Sequence, residues 1–545
     1  MIGALTAVAF LAAAPIVAYA MDWCGLGIRP FAVLPVSLAV AAGVFLLTRR
    51  AVESDRQETI AFATIVVAVL AWLLWLARPS LLPLGSGPDL AHHLLLIDYI
   101  ERHAALPHDP QLGAILGEMV SYTPGTHLLA TLAGVWTRTS GFRVVYPIVA
   151  LSVALKAGLV FLIARRMMPA GAPRTPFAVT AALLLFVPRD YFIGSFGEAS
   201  FLAQVVSELF AVAMWLAVVL WDERPSAFAA ALFALSGMAT FLAWPVNLGP
   251  PMLVFAAVVA FRTDVGLRPR VSDLVLAFAP IAAVAAIHAS GRLYALVIVR
   301  VPGFVAYPTI AMFGWWFLLI AGAGVVAAAT ERRTRTTTLL VAAIAVQAAV
   351  LYVVATMDGA ARPYMALKMA FLVIYPLAVA ASLTLAWVWT VVQVRLKPSR
   401  TLSSEGLSRT LPWAFVAVLA IAIARLLVAA PRPKPVVSTP LYVAGAWARA
   451  NVAPGCVDYL VNNLYTAYWL HLSVLGNARA TPRSGDDDTY QPRQTLNRWI
   501  LGGGVPHAIA EDFEGLPKDI RTSVDVVVRF GPAAVVKRRG PSSCL

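Results

Sequence analysis

Between Gly87 and Pro107 the chain reads GPDLAHHLLLIDYIERHAALP, placing three acids and three histidines just after a long apolar run. On a helix starting here, Asp89, His93, Leu96 and Ile100 share one side with His92 close by, while Asp98, Glu101 and Arg102 share the other. The second side reads as a solvated face carrying an i,i+4 pair, Asp98 with Arg102. The first is unusual, because a carboxylate and two imidazoles continue an apolar stripe. Asp89 after Pro88 is a favoured helix cap. It is also a candidate general base, since one carboxylate oxygen can serve each role. His92 and His93 are either interfacial packing residues or substrate contacts. Neighbours on a helix diverge by about 100°, so the two do not readily share one metal. There is no H-E-x-x-H motif. The pattern demands no cofactor; it leaves open a divalent cation (Mg or Mn) held by Asp89 together with a substrate phosphate.

Two further stretches could join this chemistry. GEMVSYTPGTHLLATLAG, 117–134, breaks one helix and starts another at Pro124. It would bring Glu118, Tyr122 and His127 near Asp89 if the loop folds back, although Tyr122 also suits interfacial anchoring. ARPYMALKMAFLVIYPLA, 361–378, places Lys368 in the first turns of an apolar run. A charge costs about 2.5–3.5 kcal/mol at the centre of such a helix and less near its end. Lys368 therefore either snorkels to the interface or meets an anion. With Arg362 just outside, and Arg292 and Arg300 able to add to it, it forms a cationic patch suited to a phosphate on a lipid tail. A fourth stretch, RDYFIGSFGEASFLAQVVSEL from Arg189 to Leu209, supplies Gly194 and Gly197 for close approach. It also runs Gln204 and Glu208 along one helical face, where bonding between helices is the expected role.

The elements that position these residues are membrane helices. The chain of 545 residues is 60% hydrophobic and 13% charged, against about 25% charged in soluble domains. Apolar runs near 20 residues recur, and backbone groups inside lipid must be satisfied within each segment, which favours helices. The run Met1–Met21 has no basic leader region, so it is expected to be a retained span. The net charge of +14 does not point to nucleic acid, because the excess sits as arginine in short loops between spans, the orientation signal of a membrane protein. Five clusters carry it: Arg49-Arg50 with Arg56, Arg165-Arg166 with Arg174, Arg262 with Arg268 and Arg270, Arg332-Arg333 with Arg335, and Arg395, Lys397, Arg400 and Arg409.

Placing all five in the cytoplasm predicts about thirteen spans, near 1–21, 31–48, 59–77, 144–164, 177–188, 201–221, 227–243, 250–261, 274–290, 309–329, 339–356, 365–394 and 411–430. The N-terminus is then inside, a large first outer loop covers about 78–143, and His127–Trp136 is a dipping or partly embedded helix. All the candidate chemistry lands on the outer side, including Arg189-Asp190, Glu198 and Asp358. No Walker-type loop is present. Arginine far outnumbers lysine and alanine is abundant, a composition suggesting a GC-rich bacterium and hence its inner membrane.

Residues 1–430 thus form the membrane domain and 431–545 a small extracytoplasmic α/β domain. Pro431, Pro433 and Pro435 make a stiff entry to the latter. Val457–Val461, Val524–Arg529 and Ala533–Lys537 read as strands, the last two joined through Gly531-Pro532; helices are expected near Tyr442–Asn451 and Tyr465–Leu475. Cys456 and Cys544 are a plausible disulfide in an oxidising compartment, while Cys24 has no evident partner.

These residues at this topology resemble the GT-C superfamily of membrane glycosyltransferases. The resemblance rests on the Asp-x-x-x-His helix followed by Tyr-Thr-Pro-Gly-x-His, on Tyr364-x-x-x-Lys368 at the start of a late span, and on a many-span body leading to an outer α/β domain through Trp447-x-x-x-Asn451. It covers most of the chain in layout, through short motifs. It implies a polyprenyl-phosphate sugar donor, a glycan, lipid or protein acceptor, an active-centre acid mapping to Asp89, and a cation near the donor phosphate mapping to Lys368 or Arg362. The family often pairs two acids in this loop. Here leucine follows Asp89, which puts metal dependence in doubt and leaves room for an inactive scaffold. Two other classes compete: a lipid-phosphate transporter or flippase, disfavoured because no inverted repeat is visible, and a non-catalytic envelope assembly protein.

Overall fold

The computed structural model describes every residue except 52–54, 84–87, 189–194, 196–200, 292–304, 306, 361, 396–402, 430–434, 436, 454, 475–491 and 545. Each predicted span falls on a helix. Among the described residues nine helices are long and apolar enough to cross a membrane: Ile2–Trp23, Pro30–Arg50, Arg56–Leu76, Gly141–Met167, Leu202–Glu223, Leu267–Gly291, Arg335–Met357, Tyr364–Gln393 and Thr410–Ala429. The other expected spans correspond to shorter helices, Arg174–Leu184, Ala227–Ala243, Gly249–Phe261 and Trp315–Ala328. At 1.5 Å per residue these cover only about 17–26 Å, short of a hydrocarbon core of about 30 Å. The molecule is a multi-pass helical membrane protein with a small C-terminal sheet domain.

The body is organised around Leu202–Glu223, which is apolar on all sides and buried along its length, as a helix surrounded by other helices must be. It packs on Ala227–Ala243 and Gly141–Met167. Gln204 and Glu208, within its apolar length, are answered inside the bundle. Glu208 lies 2.7 Å from the Lys156 ammonium, accepts from the Tyr375 hydroxyl at 2.7 Å and from the Gln204 amide at 3.0 Å. The expected interhelical bonding of Gln204 and Glu208 is thus present. Lys156, in the middle of an apolar run, is the partner that the run itself does not announce.

The segment Gly125–Trp136, expected as an embedded helix, is a 12-residue helix buried over most of its length. It lies against Ile2–Trp23, Pro88–His103 and Gly141–Met167.

In the C-terminal region four strands, β1 (Val457–Leu460), β2 (His507–Ala510), β3 (Val524–Phe530) and β4 (Ala533–Arg538), form one sheet ordered β1-β2-β4-β3. The first pair is parallel; the others are antiparallel, with a bulge between Val526 and Val528. β2 is an addition to the predicted strands. Helices Thr439–Asn451 and Leu464–Trp469 stand close to where they were expected, the second continuing through one wider turn to Val474. Buried Asp458 pins the sheet, accepting from the Trp499 indole at 2.7 Å and from Arg498 at 2.8 Å. Cys456 and Cys544 form the disulfide, and Cys24 is free and exposed. Of the proline exit, Pro431 and Pro433 lie outside the described residues.

Removing one member of a buried ion pair strands the other in a medium that cannot solvate it, at about 3–5 kcal/mol, whereas replacing both with apolar groups is often neutral. Lys156→Met is therefore expected to lower the thermal unfolding midpoint in detergent markedly. The double change Lys156→Met with Glu208→Leu should recover most of that loss.

Candidate functional site

The helix Pro88–His103 lies beneath the sheet domain and against the Gly125–Trp136 helix. Asp89 stands in its first turn, three and four residues before His92 and His93, about one helical turn; its side chain lies outside the described residues. So do Arg189, Asp190, Gly194, Gly197, Glu198, Arg292 and Arg300.

The two histidines diverge. His92, buried, sets Nδ1 2.6 Å from Glu118 Oε1 and Nε2 2.5 Å from the hydroxyl of Tyr468 in the C-terminal domain. His93, also buried, places Nδ1 2.9 Å from His127 Nε2. Tyr122 closes this second group, its ring edge-on to both, with centroids 5.3 Å from His93 and 5.7 Å from His127. A bond between two imidazoles needs one ring to donate and the other to accept. Burial first, and the His93 ring second, hold His127 well below the usual imidazole range, so it is neutral at physiological pH. Of the predicted residues, then, the structure forms two groups on this helix: His92 with Glu118, and His93 with Tyr122 and His127.

The opposite face is not the solvated one expected from the sequence. Asp98 bonds Arg102 as predicted but also Arg449 of the C-terminal domain, at 2.7 Å. Glu101 turns inward to accept the backbone N–H of Gly141, at the start of a membrane helix, and burial pushes its carboxyl up. This face docks two other elements; its charges read as solvated only because their partners are distant in sequence.

The turn before His127 connects the cluster to the late span. Gly125 approaches the Leu242–Ala243 backbone so closely that a Cβ there would stand 2.7 Å from the Leu242 carbonyl carbon. The Thr123 hydroxyl donates to the Ala243 carbonyl at 3.3 Å. Next in chain is Trp244, whose ring centroid is 5.1 Å from the Lys368 ammonium. Phe201 and Tyr364 complete an aromatic box, at 3.9 Å and 4.4 Å. Lys368 is 7% exposed and does not snorkel out; ring faces stabilise a desolvated ammonium by about 2 kcal/mol or more. Tyr364-x-x-x-Lys368 is thus an i,i+4 cation–π pair. Arg362, by contrast, is exposed, so the two cations occupy different environments. Elsewhere on the helix that carries Lys368, Leu367, Phe371 and Ile374 join Val305, Pro308 and Met312 around a small apolar cavity.

On the other side of the Gly117–Ser121 segment lies a cavity of about 220 Å³ lined by Tyr19, Asp22, Trp23, His108, Ser121 and His288 among others. Asp22 is 2.9 Å from His108, and the Tyr19 hydroxyl is 3.1 Å from His288. Among the described residues no three His, Cys, Asp or Glu side chains assemble as a metal-holding group.

The crystal structure of ArnT from Cupriavidus metallidurans in the apo state superposes with a TM-score of 0.53, covering 89% of this chain and 99% of that one at 16% identity. The fold is shared with ArnT. The fold class expected from the sequence, a many-span helical membrane body with a small C-terminal α/β domain, is therefore correct, and its fold is the one ArnT has. The archaeal oligosaccharyltransferase AglB from Archaeoglobus fulgidus, solved with an inhibitory peptide and a dolichol-phosphate, aligns less well. Its TM-score is 0.41, over 84% of this chain and 70% of that one, at 14% identity. No family model and no curated sequence matches the chain.

Tyr468, Phe201 and Trp244 were not foreseen. Each is an aromatic residue in an apolar or domain context whose contact is made only by the fold.

Because His127 is held neutral when buried, the unfolded chain binds more protons wherever its ordinary pKa of about 6.5 exceeds the folded one. The His127 contribution to stability is complete above that value and is lost as pH falls below it. The thermal midpoint should be level near pH 7–8 and decline from about pH 6.5 downward, and His127→Gln should flatten that decline.

Proposed function

We propose that the chain is an inverting membrane glycosyltransferase that moves a sugar from a polyprenyl-phosphate donor to an extracytoplasmic glycan, lipid or protein acceptor. The observation that carries the reading is the connection of a desolvated lysine at the head of a late span to a histidine–tyrosine cluster on the Asp89 helix, through the Trp244 corner. A fold shared with ArnT supports the same kind of reaction.

In this reading Asp89 takes the proton from the acceptor hydroxyl as its oxygen attacks the anomeric carbon. The bond from that carbon to the phosphate oxygen breaks, and its electron pair leaves with the polyprenyl phosphate. Lys368, with Arg362 at the rim, stabilises the charge that grows on the phosphate. Lys368 in its box contributes most, because screening by water is weak there. His92, His93, Glu118, Tyr122 and His127 position the sugar and the helix that carries Asp89. Direct displacement inverts the anomeric centre, and a phosphate leaving group needs little acid assistance. A Mg²⁺ or Mn²⁺ ion, if used, would be held by Asp89 and would supply positive charge to the leaving phosphate.

The disulfide supports an oxidising side for the C-terminal domain. The arginine clusters at the other ends of the spans support a cytoplasmic side opposite it and a cytoplasmic N-terminus. A bacterial inner membrane satisfies both.

Purified protein incubated with a panel of radiolabelled polyprenyl-phosphate sugars should transfer one of them. Asp89→Asn should abolish that transfer with the thermal midpoint unchanged. Lys368→Met should lower kcat by about 10²–10³, the loss typical of one preorganised charge donor. Near-normal transfer by Asp89→Asn would retire the base assignment.

A further inference from the structure

The helix Gly141–Met167 begins beside Glu101 and the sheet domain and ends, about 40 Å away at 1.5 Å per residue, in Arg165 and Arg166. There Arg165, Arg166, Arg174, Arg332 and Arg333 line an open cavity of about 590 Å³. Its acids are Glu58, Asp222 and Glu223. Loops of this kind are basic in many membrane proteins for orientation alone, and such arginines point separately into water. These converge from two loops on one concavity.

The charges do not cancel. Arg165 pairs with Glu58 at 2.5 Å and with Asp55, and Arg166 pairs with Glu223. Asp222 is already shared by Arg262 and Arg335, and Arg332 reaches it and Asp264 only at 3.9 Å and 3.6 Å. Among the described residues no carboxylate lies within ion-pair distance of Arg174 or Arg333. Arg333 donates instead to the Arg166 carbonyl. Burial, and then the neighbouring Arg174 guanidinium, push Arg333 below the usual arginine range. Arg174 and Arg333, both exposed, thus line a pocket in which Arg165 and Arg166 are already paired with protein acids. A dianion or monoanion of tetrahedral shape would pair with both, and guanidinium forks match its oxygens in pairs.

We propose that this cavity is a phosphate-binding site, with Arg174 and Arg333 as its two forks. It is remote from the Asp89–Lys368 site and stands whether or not that site transfers sugar. The cavity sits at the polar ends of Arg56–Leu76, Gly141–Met167, Leu202–Glu223 and Arg335–Met357, the level of lipid head groups. A phosphate there comes either from an anionic lipid or from a soluble phosphate.

Both sources are tested on the full chain in detergent: retention of phosphatidylglycerol against phosphatidylcholine by native mass spectrometry, and the thermal shift with inorganic phosphate. Wild type should retain phosphatidylglycerol, or bind phosphate, about tenfold or more better than Arg174→Gln/Arg333→Gln, as expected for losing charged hydrogen bonds. The exposed pair Arg224 and Arg268, outside the cavity, should tolerate the same change. Preference for the lipid arm assigns a head-group site; a response to phosphate alone assigns a soluble ligand. In anion-free buffer Arg333→Gln alone should raise the thermal midpoint or leave it unchanged, since it removes repulsion. Should the double glutamine variant fail to fold, Arg174→Lys/Arg333→Lys, which keeps charge but loses the fork, should still show weakened binding. Equal behaviour of wild type and the cavity variants in both arms, or equal loss in the Arg224/Arg268 control, overturns the proposal.

Discussion

The approach of Gly125 to the backbone of Leu242 and Ala243 is the contact on which the site depends. No side chain fits between them. That closeness lets a turn from the first large loop rest directly on the corner between two membrane helices. One residue upstream of the turn lies the tyrosine of the histidine cluster; one residue downstream of the corner lies Trp244, a wall of the Lys368 box. A longer approach would leave the histidines and the lysine as unrelated features of two elements. The Tyr-Thr-Pro-Gly sequence serves this geometry. Proline ends one segment and presets the next, and glycine removes the one group that would hold the surfaces apart.

A second constraint follows from dielectric. Each charge drawn into this structure is answered by a partner suited to its surroundings. Lys156, deep in the bundle, has a carboxylate; Lys368, near the polar edge, is ringed by aromatic faces. Ring faces stabilise the one desolvated ammonium by about 2 kcal/mol or more, and a buried carboxylate stabilises the other. The structural lysine and the candidate binding lysine are thus distinguished by their neighbours. The sheet domain also takes part, since His92 reaches Tyr468 and Asp98 reaches Arg449. It clamps both faces of the helix that carries Asp89.

Much of the fold was legible because its signals are local. Apolar runs marked each span, and valine-rich runs bounded by Gly531-Pro532 marked β3 and β4. β2 escaped because His507–Ala510 is four residues long and has no alternation to read. Most short spans were legible as short runs, as at 177–188 and 250–261, whereas 309–329 read as one long span because nothing in the apolar run marks the break at Gly314 before Trp315–Ala328. The chemistry-bearing residues of the site could be picked by type, since acids and imidazoles in an apolar stripe stand out. Their partners could not. Tyr468 lies 376 positions from His92, and Phe201 and Trp244 look like any aromatic residue in a membrane protein until Lys368 is set among them. Glu101 and Asp98 were misread for the same reason.

The central claim is that the Asp89 helix and the Lys368 span meet at one lipid phosphate, and photo-crosslinking measures it directly. A polyprenyl phosphate bearing a photoreactive group next to the phosphate should label peptides from both 88–127 and 364–371, with excess unlabelled lipid suppressing both together. Labels confined to one of the two segments, or persisting on one while competed from the other, would contradict the account.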